Sequence, residues 1–189
     1  MAKSNVEAPD WSTIPAPVDD GAASHLTGLK LVPTLLPATD GTRVDLSSLP
    51  GRMVVYAYPR TGKPGIENPE GWDQIPGARG CTPQSCSFRD NFAEIKSLGV
   101  DFIFGLSTQS TPYQQEVAQR IHLPFPILSD EKLEFASSIR LPMFETSGMK
   151  LLKRLTLVIK NGVIEHVFYP VFPPDQDAAN VIAWLRDKS

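Results

Sequence analysis

Apolar positions along the chain fall into two periods. Met53 to Pro59 (MVVYAYP) and the later VDFIFGLST are continuous apolar blocks, the pattern of strands buried on both faces, and Pro59 ends the first of them. Between them, SFRDNFAEIKSLG sets Phe88, Phe92, Ile95 and Leu98 at helical spacing and stops at Gly99. Thr111-Pro112 opens a second helix reaching about Ile121, LPFPILSD holds a short extended piece, and EKLEFASSI predicts a third, shorter helix. Lys153 to Lys160 and Val163 to Tyr169 flank Asn161-Gly162, a strong hairpin signal, and DAANVIAWLRDK closes the chain as a helix. Upstream, from Leu29, short extended pieces surround an Asp40-Gly41 turn. The predicted order is a β-α-β half, a connecting helix and a β-β-α half, with no internal repeat.

Two stretches lack either period. Residues 1–27, rich in Pro, Ala, Asp and Ser, read as an irregular arm that is loose or lies across the surface of a domain spanning 28–189. Residues 62–80 form a Gly/Pro-rich loop whose composition predicts no regular structure and whose length points to function.

Composition narrows the classes of partner. A chain of 189 residues with 41% apolar content suits one domain with a full core. The net charge of −3 and the lack of a dense Lys/Arg block argue against nucleic acid. No apolar run approaches the roughly 20 residues that cross a bilayer, so no membrane association is expected. The N-terminus also lacks the apolar core of a secretory signal, which makes the cytoplasm the expected location. In a reducing compartment a structural disulfide is improbable, so two cysteines placed within six residues read as redox-active or metal-binding.

In GARGCTPQSCSFRD, Cys81 stands at a loop-to-helix junction, with Thr82 suited to the N-cap and Pro83 to the first helical position. Backbone N–H groups and the positive end of the helix dipole there favour a thiolate and hence a nucleophile. Cys86 follows five residues later, a rise of about 7.5 Å and a rotation near 140° on an ideal helix. A disulfide needs Cα atoms closer than about 7 Å, so closing this pair requires the first helical turn to loosen. Both cysteines could instead fill a helix-sheet interface as small apolar residues. Zinc is disfavoured, because His25, His122 and His166 lack ligand spacing. A dithiol reductase would favour a C-x-x-C pair.

The segment GCTPQSCSFRD resembles the peroxiredoxin family, in particular its Q-type or bacterioferritin comigratory protein group. Tyr58-Pro59, Gly80-Cys81-Thr82, Cys86 and Phe88-Arg89-Asp90 follow that group's pattern in order, and the similarity runs from about Leu29 to the C-terminus. The resemblance implies a thioredoxin-like α/β fold, with a central mixed sheet flanked by helices. It also implies a thiol peroxidase with Cys81 as peroxidatic and Cys86 as resolving cysteine. Hydroperoxides would be its substrates and thioredoxin or a similar dithiol protein its reductant, with no metal, flavin or haem cofactor. Monomer and homodimer both remain open, as does use of the pair for redox sensing or disulfide reduction. KRLTLVIKNG resembles the strand that supplies the family's active-site arginine, which points to Arg154. A guanidinium there favours the thiolate and can donate to peroxide oxygens.

In one respect the chain departs from the family. The usual Thr or Ser three residues before the peroxidatic cysteine, and the Pro four residues earlier, are replaced by Ala78 and Gln74. Thr61 is the candidate hydroxyl beside Cys81, with Pro59 shielding the site and Gly80 and Thr82 at its edge. Arg79 could lower the thiol's proton affinity, Arg89 could pair with Asp90 or Glu94, and Trp72 could wall the pocket.

Overall fold

The computed structural model of the chain describes residues 9–188. Each apolar block becomes a strand. The hairpin β1 (Leu35–Pro37) and β2 (Arg43–Asp45) turns at Asp40-Gly41, and β3 (Arg52–Ala57), β4 (Phe102–Ser107) and β5 (Ile127–Ser129) run parallel. A second hairpin, β6 (Met143–Thr146) and β7 (Met149–Leu152), stands apart from the main sheet. Strands β8 (Leu155–Lys160) and β9 (Val163–Phe168) complete a five-stranded mixed sheet in the order β5-β4-β3-β8-β9. The β6-β7 hairpin was not predicted. Its Ser147-Gly148 turn, with both residues at positive φ, is the local signal that marks it.

The central strand β3 pairs parallel with β4 and antiparallel with β8, so both of its edges are hydrogen-bonded. Met53, Val55 and Ala57 join one core with Leu155, Leu157 and Phe135, whereas Val54 and Tyr56 join a second with Phe88, Ile95, Val117 and Val181. This alternation follows from the two-residue period of a strand. The second face carries α1 (Cys81–Asp90), α2 (Phe92–Ser97), α3 (Thr111–Arg120) and α5 (Asp177–Asp187), while α4 (Glu134–Ile139) lies on the first.

The single helix predicted around Phe88 to Leu98 is interrupted at Asn91 (φ −103°, ψ 10°), whose side-chain amide donates to the Ser87 carbonyl at 2.8 Å. Asparagine competes locally for backbone hydrogen bonds and so divides α1 from α2. The loop expected to lack regular structure contains a 3-10 turn at Trp72–Gln74, anchored by the buried Trp72 packing near Phe144. Residues 1–8 of the arm lie outside the described residues. The described part lies over the domain, and Ile14, Ala23 and Leu26 are buried. No helix among the described residues is long and apolar enough to cross a membrane.

The β8-β9 turn places Asn161 at φ 50° and Gly162 at φ 76°, and a Cβ at Gly162 would come within 2.5 Å of the Ser47 carbonyl oxygen. Gly162→Ala should therefore destabilise the fold by about 1–3 kcal/mol. Urea unfolding checks this as a lower transition midpoint with an unchanged slope.

Candidate active site

The first turn of α1 is set by a glycine. Gly80 occupies the N-cap position at φ 106°, and its carbonyl accepts from the Gln84 N–H at 3.0 Å. Cys81 is thus the first helical residue, and Thr82 and Pro83 lie inside the turn instead of serving as cap and first residue. The positive φ explains the shift, because only glycine adopts it without strain. Pro83 is tolerated because N–H groups of a helix's first turn have no intrahelical acceptor. Trp11 and Pro174 close over Gly80, each placing an atom 2.7 Å from where a Cβ would stand. The Trp11 indole is held in turn by the Asp175 carboxylate at 3.0 Å and by an edge-on contact with Phe172.

Beneath this junction lies Arg154, between β7 and β8 and only 3% exposed. One of its terminal nitrogens lies 3.2 Å from Cys81 Sγ and 3.1–3.2 Å from the carbonyls of Gly77, Ala78 and Arg79, four acceptors that share its two N–H groups. The other donates to Gln84 Oε1. A planar guanidinium with several fixed donors suits such a cluster of acceptors, where an ammonium would not reach them all. Cys81 is buried, and its Sγ also lies 3.6 Å from the Ala78 carbonyl, placed to donate when protonated. Ionising the sulfur removes that donor and leaves the interaction with Arg154, which strengthens as negative charge develops.

The sulfur opens onto a cavity of about 320 Å³ lined by Thr61, Trp72, Gly80, Thr82, Pro83 and three arginines, Arg60, Arg79 and Arg120. Thr61 is almost fully buried there, and its hydroxyl and N–H both donate to Gln109 Oε1, at 3.2 and 3.0 Å. Gln109 returns a bond to the Thr61 carbonyl at 3.1 Å. Pro59 is buried at the end of β3 and does not contribute to the cavity wall. Arg79 is half exposed and paired with Asp73 at 2.9 Å. Arg89 pairs with Asp90 and donates to the Ile121 carbonyl, away from the sulfur.

Cys86 lies on the same wound helix, half-buried against the Tyr56 and Phe88 side of the core, and neither cysteine is in a disulfide. Burial raises its pKa above the usual thiol value, partly offset by the nearby Arg89. Tyr56 stacks on Phe88 at 4.5 Å and donates from its hydroxyl to Ser85 at 3.1 Å, which fastens this face of α1 to β3.

Two buried residues behind Arg154 had no sequence signal. Gln84 links Arg154 to Asp177, donating to Asp177 Oδ2 at 2.7 Å, and Thr156 donates to the same oxygen at 2.7 Å. Burial pushes the Asp177 carboxyl up to about 6, against the opposing effects of the Thr156 and Gln84 bonds and the Arg154 charge. In sequence, Gln84 is a plain helical residue and Asp177 an ordinary acidic helix start.

A five-stranded mixed sheet flanked by helices, with a cysteine at a helix start over a buried arginine, is a thioredoxin-like arrangement. A family model described as redoxin matches residues 3–182. The chain is 32% identical to the chloroplastic peroxiredoxin Q of Oryza sativa subsp. japonica over 78% of its own length, and spans 60% of that relative. Peroxiredoxin Bcp of Escherichia coli K12 is 31% identical, with 80% of this chain and 90% of the relative aligned. The crystal structure of peroxidoxin BcpB from Mycobacterium tuberculosis superimposes with a TM-score of 0.69 at 26% identity, over 87% of this chain and 98% of the other. The chain belongs to the redoxin family, among its peroxiredoxins of the Q/Bcp group.

Gly80→Ala combines a forbidden φ with a clash against Trp11 and Pro174, and should destabilise the protein by at least about 2 kcal/mol. Hydrogen exchange at the amides of the first α1 turn should accelerate in the same variant, more than at β3.

Proposed function

We propose that the chain is a thiol-dependent peroxidase, a reading carried by the Arg154 guanidinium 3.2 Å from Cys81 Sγ at the start of α1. The Cys81 thiolate attacks the terminal oxygen of hydrogen peroxide or an organic hydroperoxide in line with the O–O bond. An S–O bond forms as the O–O bond breaks, and the leaving oxygen takes a proton and departs as water or an alcohol. The donors of Arg154 are fixed where charge moves from sulfur to oxygen, so little reorganisation is needed during the step. Cys81 is left as a sulfenic acid.

Resolution follows from the helix geometry. In the wound state Cys86 is held as a thiol by its burial. Unwinding the first turns of α1 exposes it, restores its ordinary acidity and brings it to the sulfenic acid, and the two condense to an intramolecular disulfide with loss of water. A dithiol protein of the thioredoxin type then returns two electrons and two protons by thiol-disulfide exchange. Thr61 and Gly80, which line the cavity, would contact the peroxide together with Thr82, and Pro59 would back the Thr61 segment. A cytoplasmic setting would supply such a reductant.

Cys81→Ser should abolish peroxide turnover. Cys86→Ser should keep single-turnover oxidation of Cys81, seen as a mass increase of one oxygen, while losing thioredoxin-supported recycling. Arg154→Lys should slow Cys81 oxidation on the order of 100-fold, since one ammonium cannot replace the bridging donors. Turnover retained in Cys81→Ser would overturn the assignment.

A further inference from the structure

We propose that Asp177 is a positioning residue for Cys81 oxidation, acting through Gln84 to fix the Arg154 guanidinium against the sulfur. This inference rests on Cys81 being the attacking thiol.

The geometry is a buried relay with a defined polarity. A carboxylate only accepts hydrogen bonds, and Asp177 Oδ2 accepts from Gln84 Nε2 and Thr156 Oγ1. The Gln84 amide therefore turns its NH2 toward Asp177 and must present its oxygen on the other side, where Arg154 Nη1 donates to it. Turned over, the same amide would set an NH2 against a guanidinium, two donors face to face. Gln84, Thr156 and Asp177 are all fully buried, so water cannot easily repair a wrong orientation. Among the described residues, Arg154 Nε and Asp177 Oδ1 meet no hydrogen-bond partner, which leaves the Gln84 bridge as the polar link between cation and carboxylate.

Two elements distant in sequence are coupled in this way. Asp177 begins α5 and Arg154 precedes β8, while Gln84 and Cys81 share the first turn of α1. The carboxylate never meets the sulfur or its cavity. What it controls is which atom of Gln84 faces Arg154, and through that the angle at which the guanidinium meets Sγ. Burial of the cation beside Cys81 is also balanced across Gln84 by the negative charge on Asp177.

The test is a charge swap along the relay. In Asp177→Asn the amide at position 177 can offer Gln84 either an oxygen or an NH2, so the polarity is no longer dictated. The second-order rate of Cys81 oxidation by hydrogen peroxide, followed by mass spectrometry in single turnover, should fall on the order of tenfold. Adding Gln84→Glu moves the carboxylate to the position beside Arg154 at constant net charge, and the amide at 177 can then donate to it and accept from Thr156. The double variant should recover to within about threefold of wild type. A residue that merely stabilises the fold would not give this reciprocal rescue. A single variant within about threefold of wild type overturns the proposal, and so does a slow single variant that the second change leaves slow. Where Asp177→Asn does not fold, the double variant decides: recovery of rate supports the relay, and a slow or unfolded double variant overturns it. Oxidation retained in Cys81→Ser would instead overturn the underlying reading of the site, so the two failures are distinct.

Discussion

A buried cation must be surrounded by acceptors, and the structure around Cys81 can be understood as the answer to that requirement at Arg154. The guanidinium collects the carbonyls of Gly77, Ala78 and Arg79, the sulfur of Cys81 and the amide oxygen of Gln84. Those acceptors come from the end of the long loop and the start of α1. Satisfying the arginine therefore ties the loop to the helix and points the sulfur inward. The burial that makes the cation costly is also what makes its field strong at the sulfur, since little water screens it.

The same junction has to give way if the two cysteines are to meet. Gly80 supplies a cap that no other residue adopts cheaply, and Trp11 and Pro174 press on it from outside. Tyr56 and Phe88 hold the next turn by stacking. Packing is thus concentrated at the point where the proposed chemistry requires local unfolding, and burial in the wound state raises the Cys86 pKa. Packing and reactivity are linked through one helical turn.

Much of this was legible from local pattern. The continuous apolar run of β3, the Asn161-Gly162 turn and the Thr111-Pro112 helix start each depend on neighbours in sequence, and each formed where the pattern placed it. The departures have equally local causes: Asn91 divides one expected helix, Gly80 takes the cap from Thr82, and Ser147-Gly148 turns a hairpin whose strands are short and only partly buried. The arm read as irregular does lack strands and α-helices in its described part, yet Leu26 is fully buried. A lone apolar residue in a polar stretch has no period by which to be recognised.

By itself the sequence determined the strand and helix order, the nearness of two cysteines to a helix start, and their inability to bond while that helix is wound. These follow from fixed backbone geometry over a few residues. Contacts that span the chain were decided only by tertiary structure. Arg154 reaches Cys81 across 73 positions, Gln84 reaches Asp177 across 93, and Trp11 reaches Asp175 across 164. A hydrogen bond depends on where two side chains end in space, and a single sequence carries no trace of that distance. The chemistry of Cys81 was therefore visible in its own neighbourhood and Arg154 through a family resemblance, while Gln84 and Asp177, which hold that arginine, became visible only once the sheet had brought β8 and α5 behind α1.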